Sequence, residues 1–298
     1  MNKEMIEKNK EIKVYVVGRD VGYTDLFLDK IKIVDTISEA DIVLFTGGED
    51  VHPSYYGEKK GQFTRTNIDR DRREVKAFNE ARMYNKFCLG ICRGSQWLTI
   101  MSGGELIQHV TNHAICGTHK IHLMNEDVNI DITSTHHQMM YPFHLDKESY
   151  TLIAKSTKDL STTYLNGEDR EKRLVSNFVE CEIVYYKTTN SLCIQGHPEY
   201  MPKDSNAVRY INVLIREYLE DTIETTPMVI EEDVEAPNAD AGIAGQIRDV
   251  RAELNNIDWG NLNIMANEIA AQARRPVRNT PEWQLNDDDL EFLDVNLR

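Results

Sequence analysis

Cys92 stands in Leu89-Gly90-Ile91-Cys92-Arg93-Gly94-Ser95-Gln96, where a strand-type apolar run over 86–91 gives way to helical spacing through Trp97, Leu98, Ile100 and Met101. Gly-x-Cys-x-Gly has the form of a nucleophile elbow, in which small flanking residues let a strained backbone lift the nucleophile out of a sheet. A helix starting at Arg93 would aim its free N–H groups and positive dipole end at the sulfur, which favours thiolate over thiol. The Arg93 N–H is then a natural oxyanion donor. The plain alternative is a buried cysteine at a strand end, and the glycine frame argues against it.

A base for this nucleophile lies further along the chain, where Ser191-Leu192-Cys193-Ile194-Gln195 reads as a strand running into Gly196-His197-Pro198-Glu199. Pro198 keeps His197 extended, so that His197 and Glu199 point the same way. A neutral imidazole would take the thiol proton on one nitrogen while Glu199 holds the other N–H and fixes the tautomer.

The chain resembles the class I glutamine amidotransferase-like hydrolases, and within them the branch of gamma-glutamyl-gamma-aminobutyrate hydrolases, over about residues 12–221. The matching pieces are Phe45-Thr46-Gly47-Gly48-Glu49-Asp50-Val51-His52-Pro53 with Tyr56-Gly57-Glu58, Asp69-Arg70-Asp71 and Glu74, and the Cys92 elbow. Gly103-Gly104-Glu105-Leu106-Ile107-Gln108, Ser134-Thr135-His136-His137-Gln138 and Gln195-Gly196-His197-Pro198-Glu199 follow in order. The resemblance implies Cys92 as nucleophile, His197 as base, Glu199 as its partner and the Gly48 N–H as second oxyanion donor beside Arg93. It places the Ser-x-His-His-Gln stretch, with His137 and Gln138, beside a pocket for a glutamyl moiety, although either histidine also has a structural reading.

Gly48 has a physical case of its own. Thr46-Gly47-Gly48 follows the apolar strand 41–45, at the carboxyl end where backbone can approach a ligand closely and a side chain would obstruct it. An ordinary turn is the alternative. Gln96, one helical turn past Cys92, faces the same side of the helix, to contact substrate or to pack against the sheet. The expected substrate-binding set is therefore Gly47, Gln96, His137 and Gln138, with no cofactor and no metal.

To position these groups the chain offers strands near 13–17, 42–45, 87–91, 128–133, 150–155, 178–186 and 191–195, and helices near 22–30, 70–85, 93–102 and 204–220. Val208, Ile211, Ile215 and Tyr218 give the last helix an amphipathic face that covers a sheet. The alternation predicts an α/β fold with a mainly parallel sheet flanked by helices, the flavodoxin-like three-layer form that the resemblance also implies. Against that family the stretch between the first strand and Asp41 is short, so the first crossover is expected to be trimmed.

At 298 residues, 41% of them hydrophobic, the chain exceeds one average domain and can bury a sizeable core. A formal net charge of −15 opposes nucleic-acid or anionic-membrane partners. The first thirteen residues are charged, and no apolar run approaches the ~20 residues of a membrane span, so a cytoplasmic protein is expected. Cys88, Cys181 and Cys193 lie in apolar strand-like segments where reduced cysteine packs as a small hydrophobe, so disulfides are not expected. His109, His113, His119 and His122 invite a zinc reading, but Cys116 is thin support for one, and a polar loop near the site mouth is the expectation. Arg70, Arg72 and Arg73 read as a solvated helix face without an assigned role.

After Asp221 the composition changes. Residues 222–298 carry 16 acidic and 6 basic side chains and no lysine. The sequence divides into a catalytic domain over 1–221, an acidic linker over 222–241 and a helical docking extension over 242–298. In the extension Ile243, Ile247, Val250, Leu254 and Ile257 follow an a/d rhythm too short to be stable alone, so it is expected to dock on its own domain, a second copy or another protein. Three functions follow: a hydrolase of gamma-glutamyl amides through a thioester, a glutaminase subunit passing ammonia to a synthetase or ligase, and, from another class, a structural or regulatory protein that retains the fold.

Overall fold

Fully buried apolar runs at 42–45 and 87–91 form strands near the middle of a nine-stranded sheet, where both faces must be covered. The computed structural model describes residues 11–225, with side chains as far as Thr222. The predicted linker over 222–241, apart from its first four residues, and the extension over 242–298 lie outside the described residues. In chain order the strands are β1 (Ile12–Val17), β2 (Ile31–Ile33), β3 (Ile42–Phe45), β4 (Phe87–Ile91), β5 (Glu105–Ile107), β6 (His109–Val110), β7 (Ala114–Leu123), β8 (Val128–Thr135), β9 (Met139–Tyr141), β10 (Tyr150–Ser156), β11 (Tyr164–Asn166), β12 (Arg170–Glu171), β13 (Cys181–Tyr186) and β14 (Ser191–Ile194). The helices are α1 (Ile68–Met83), α2 (Arg93–Met101) and α3 (Asn206–Thr225).

The large sheet has the order β2-β1-β3-β4-β14-β13-β10-β7-β8. It is parallel from β2 through β14 and antiparallel from there to β8. Alternate residues of the parallel strands feed two cores. Ile42, Leu44, Leu89, Ile91, Leu192 and Ile194 pack under Val208, Ile211, Leu214 and Ile215 of α3. Val43, Phe45, Cys88 and Cys193 pack under Phe78 of α1 and Trp97 and Leu98 of α2. This is the predicted α/β architecture, a sheet between two helical layers. Among the described residues no helix is long and apolar enough to cross a membrane.

Two expectations are corrected. The helix expected near 22–30 is a single turn, Tyr23–Leu26, which ends as Phe27 turns extended. Asn212 of α3 accepts from the Leu28 N–H at 2.9 Å and donates to the Leu26 carbonyl at 3.0 Å, so tertiary bonds replace those a longer helix would make. The first crossover is thereby reduced to this turn and the edge strand β2. The polar loop expected around the four histidines is instead β6 and β7, with His113 in the three-residue segment that joins them. His119, Ile121 and Leu123 point inward from β7 while Thr118 and Lys120 point out, a period of two in which the buried histidine occupies a core position. A bulge at 115–116 gives Cys116 a φ of 47° and leaves it exposed.

Candidate active site

Cys92 is the single residue between β4 and α2, with φ 51° and ψ −110°. A non-glycine residue at positive φ is held there by its surroundings, and the glycines on either side explain how. A Cβ on Gly90 would come within 2.7 Å of the Gly94 backbone, and one on Gly94 within 2.0 Å of the Phe45 carbonyl oxygen. Strand, turn and helix therefore approach more closely than any side chain allows. The Cys92 carbonyl accepts the N–H groups of Ser95 and Gln96 at 3.0 and 3.1 Å and so opens α2 directly behind the thiol.

The parallel neighbour β14 delivers His197. Its Nδ1 lies 2.6 Å from Glu199 Oε1, and Cys92 is among the groups that act on the ring electrostatically. Burial draws the imidazole pKa down, but Cys92 and Glu199 outweigh it and raise it to about 10, which favours the imidazolium at neutral pH. The sequence reading took His197 as neutral, and the difference comes from these two neighbours. Thr133 of β8 fixes the strap, donating to the His197 carbonyl and accepting the His197 N–H, both at 2.7 Å. Tyr200 stacks on the His197 ring with centroids 4.9 Å apart, and Tyr23 stands at 6.2 Å on a tilted plane.

Gly47 and Gly48 follow β3 on the other side of the elbow. A Cβ on Gly47 would lie 2.4 Å from the Tyr23 hydroxyl and 3.2 Å from His197 Cε1, which puts the loop against the base. Gly48 has φ +135°, a conformation that suits glycine, and packs on the Arg70 guanidinium.

Arg70 corrects the reading of a solvated arginine cluster. It turns inward, donating to the Thr46 and Gly47 carbonyls at 2.9 and 2.8 Å and pairing with Glu74 at 2.8 Å, whereas Arg72 and Arg73 remain exposed. The signal was present in the i,i+4 spacing of Arg70 and Glu74, with Asp71 beside them. The Arg93 side chain is also buried. It binds Asp71 and Glu74, donates to the Glu49 carbonyl at 3.0 Å and lies over the Trp97 ring. These bonds tie α1 to the elbow, and the backbone N–H of Arg93 is the part at the head of α2.

The remaining predicted residues form a layer beside the elbow. Gln96 is buried and donates to the Gln138 carbonyl at 3.1 Å, with Gln195 Oε1 at 3.4 Å. Gln138 is buried too, its amide 3.4 Å from Thr64 Oγ1. His136 places Nδ1 2.9 Å from the Gln138 carbonyl, and burial lowers its pKa to about 3. His137 is partly exposed, with Nε2 3.1 Å from Asp50 Oδ1. Cys88, Cys181 and Cys193 are fully buried, and burial raises their thiol pKa values, that of Cys88 to about 12.

Fold and site together define an α/β protein built on a cysteine elbow, with an imidazole–carboxylate pair on the adjacent parallel strand. Residues 24–159 match the family model described as Peptidase C26. A glutamine amidotransferase-like protein, YvdE, of Lactococcus lactis subsp. lactis is 28% identical over 208 residues, covering 61% of this chain and 77% of that one. Its homologue from Lactococcus lactis subsp. cremoris is 34% identical over 146 residues, covering 42% of this chain and 78% of the relative. The chain belongs to the Peptidase C26 family, a class I glutamine amidotransferase-like family. Among solved structures, a glutamine amidotransferase from Thermotoga maritima aligns with a TM-score of 0.42 at 15% identity, covering 76% of this chain and 91% of that one.

Proposed function

We propose that the protein is a cysteine-dependent hydrolase of gamma-glutamyl amide bonds, of the gamma-glutamyl-gamma-aminobutyrate hydrolase branch. The observation that carries this reading is Cys92 at a strained elbow between two glycines, with the His197–Glu199 pair, 2.6 Å apart, delivered by the adjacent parallel strand. In this reading the Cys92 sulfur attacks the amide carbon, and the N–H groups of Gly48 and Arg93 hold the oxyanion. His197 gives its proton to the departing amine as the C–N bond breaks and leaves a thioester. It then takes a proton from water, whose oxygen attacks the thioester carbon, and keeps that proton as the sulfur leaves as thiolate and the glutamyl product departs, which restores the starting pair. Glu199 holds Nδ1 throughout. His137, the partly exposed member of the expected binding set, is best placed to meet the glutamyl group, while Gln96 and Gln138 act by fixing the wall behind it. The buried thiols support a cytoplasmic setting.

A second reading, a glutaminase subunit delivering ammonia to a synthetase or ligase, is favoured by the names of the Lactococcus relatives and by the extension over 242–298, read as a docking segment. Purified protein incubated with glutamine and a panel of gamma-glutamyl amines separates the two. The first reading expects release of the amine from the amides without a partner. Turnover of glutamine alone, and only with a partner protein, would establish the second. No turnover, and no reaction of Cys92 with a glutamine-like affinity label, would leave a fold kept for structure or regulation.

A further inference from the structure

The antiparallel edge of the sheet holds a polar cluster that the proposed chemistry does not use. His113 and Glu182 are fully buried and His119 nearly so, and one ligand atom of each lies within 4.8 Å of the others. His119 Nε2 is 3.2 Å and His113 Nδ1 3.8 Å from Glu182 Oε1. Ligands at ~2.0–2.2 Å from a tetrahedral ion stand about 3.3–3.6 Å apart, so small adjustments would bring all three onto one ion. Among the described residues, both nitrogens of His119 and Glu182 Oε2 make no hydrogen bond. A nitrogen and an oxygen close together but not aligned as donor and acceptor have the relation of two ligands to one cation.

The surroundings complete this reading. His113 Nε2 lies 3.1 Å from Glu180 Oε2, and that carboxylate also accepts the N–H groups of Leu160 and Ser161 at 2.8 Å each. Glu180 lies behind His113 Nε2 without hydrogen-bonding to it, the place of a carboxylate in the outer shell of a metal-bound imidazole, and His113 Nδ1 faces both Glu182 Oε1 at 3.8 Å and Ser134 Oγ at 3.3 Å. Ser156 donates to Glu182 Oε1 at 2.9 Å. The two buried carboxylates have no Lys or Arg ion pair among the described residues and face only His113 and His119, so their charge is uncompensated wherever those imidazoles are neutral, which is costly. A divalent cation cancels it.

We propose that His113, His119 and Glu182 bind one divalent transition-metal ion of the zinc class, the class that suits two imidazoles and a carboxylate. The ion joins the segment before β7, β7 itself and β13. The Glu182 carbonyl accepts the Gln195 N–H at 2.9 Å, two residues before His197, so the ion steadies the strands that carry the base without meeting the substrate.

The test uses the full chain, stripped with a chelator and titrated with zinc chloride by calorimetry, with metal counted by mass spectrometry after dialysis. One equivalent per chain is expected in the wild type and in Cys92→Ala, with at least tenfold weaker binding in Glu182→Gln and in His119→Ala. Zinc should raise the Tm of the wild type and leave that of Glu182→Gln unchanged. Cobalt(II) in the wild type needs no variant to fold: four-coordinate visible bands without a thiolate charge-transfer band support the site. Absence of stoichiometric binding by the wild type, or loss of the metal in Cys92→Ala, overturns the proposal.

Discussion

Replacing Gly94 by alanine tests the elbow at its tightest point. The new Cβ would lie 2.0 Å from the Phe45 carbonyl oxygen and 2.5 Å from its carbon, and both belong to the backbone of a central strand that cannot turn aside. Carbon–oxygen contacts settle near ~3.3 Å, so the start of α2 must withdraw by about 1.3 Å. That displacement carries the Arg93 N–H and the thiol away from the Gly48 loop and His197. A shift of roughly 1 Å costs on the order of 100-fold in rate, and forcing a methyl group into a packed core costs about 1–3 kcal/mol. At roughly 2–4 °C per kcal/mol for a domain of this size, Tm should fall by about 2–12 °C. The assay pairs kcat/KM on a chromogenic gamma-glutamyl anilide with the rate of iodoacetamide labelling of Cys92, which needs no substrate assignment. Gly117→Ala is the control, because its Cβ would meet nothing closer than the Ile115 carbonyl oxygen at 3.7 Å. Gly94→Ala with wild-type turnover, labelling and melting would refute the close-packing argument.

Cys92→Ala should abolish turnover and shift stability by about 1 kcal/mol. In the wild type, brief alkylation should reach the exposed Cys116 and Cys92, which keeps 9% of its surface exposed, and spare the three fully buried thiols, so labelling of Cys88, Cys181 or Cys193 first would contradict their burial. His197→Asn should lower kcat by about 10²–10⁴-fold and Glu199→Gln by much less, since the imidazole moves protons in both half-reactions; equal losses at equal Tm would overturn that division. Because the folded pKa of His197 is raised to about 10, its stabilising contribution is complete below its unfolded value near 6.5 and disappears as pH rises through 10. The Tm gap between wild type and His197→Asn should therefore be widest at pH 6 and close by pH 10.5, and a constant gap would count against the Cys92–imidazolium pair. Arg70→Met should lower kcat about 10–100-fold with little change in KM, because it frees the Thr46 and Gly47 carbonyls. Arg70→Lys should not restore it, since one ammonium cannot hold two carbonyls and Glu74 together; rescue by lysine would reduce Arg70 to a point charge.

The parts of the site legible in the sequence are those that backbone geometry specifies locally. Gly90, Cys92 and Gly94 announce the elbow because only glycine fits against the Gly94 and Phe45 main chains, and His197-Pro198-Glu199 is a short-range constraint that places a base and its partner. Arg70 and Arg72 differ by two positions on one helix, and only the packing of α1 against the Thr46–Gly48 loop decides that Arg70 is clamped while Arg72 pairs with Asp69 in solvent. The histidines failed for a related reason. Counted as polar residues they describe a loop, yet His119 alternates with Ile121 and Leu123 in the burial pattern of a strand. What makes a core position of a histidine is a carboxylate 3.2 Å away on β13, more than sixty residues later.

That long-range pairing also orders the functional argument. β14 runs parallel to β4 and brings His197 to the end of the sheet where Cys92 emerges; β13, antiparallel to β14, begins at that same end, so Glu182 sits beside Gln195 rather than across the molecule. The reversal of strand direction at β14 thus sets two clusters side by side, one ending in a thiol and one in a buried carboxylate. They share Thr133 and Ser134, neighbours on β8: Thr133 holds the His197 backbone, and Ser134 donates to the His113 carbonyl at 2.6 Å. Among the described residues, a change at the histidine cluster can reach the catalytic end of the sheet through β8, through Gln195, or through His136 and the Gln138 carbonyl to Gln96. Thr133→Val, which removes the hydroxyl and keeps the shape, cuts the β8 route by freeing the His197 backbone, and should lower kcat while leaving metal stoichiometry intact.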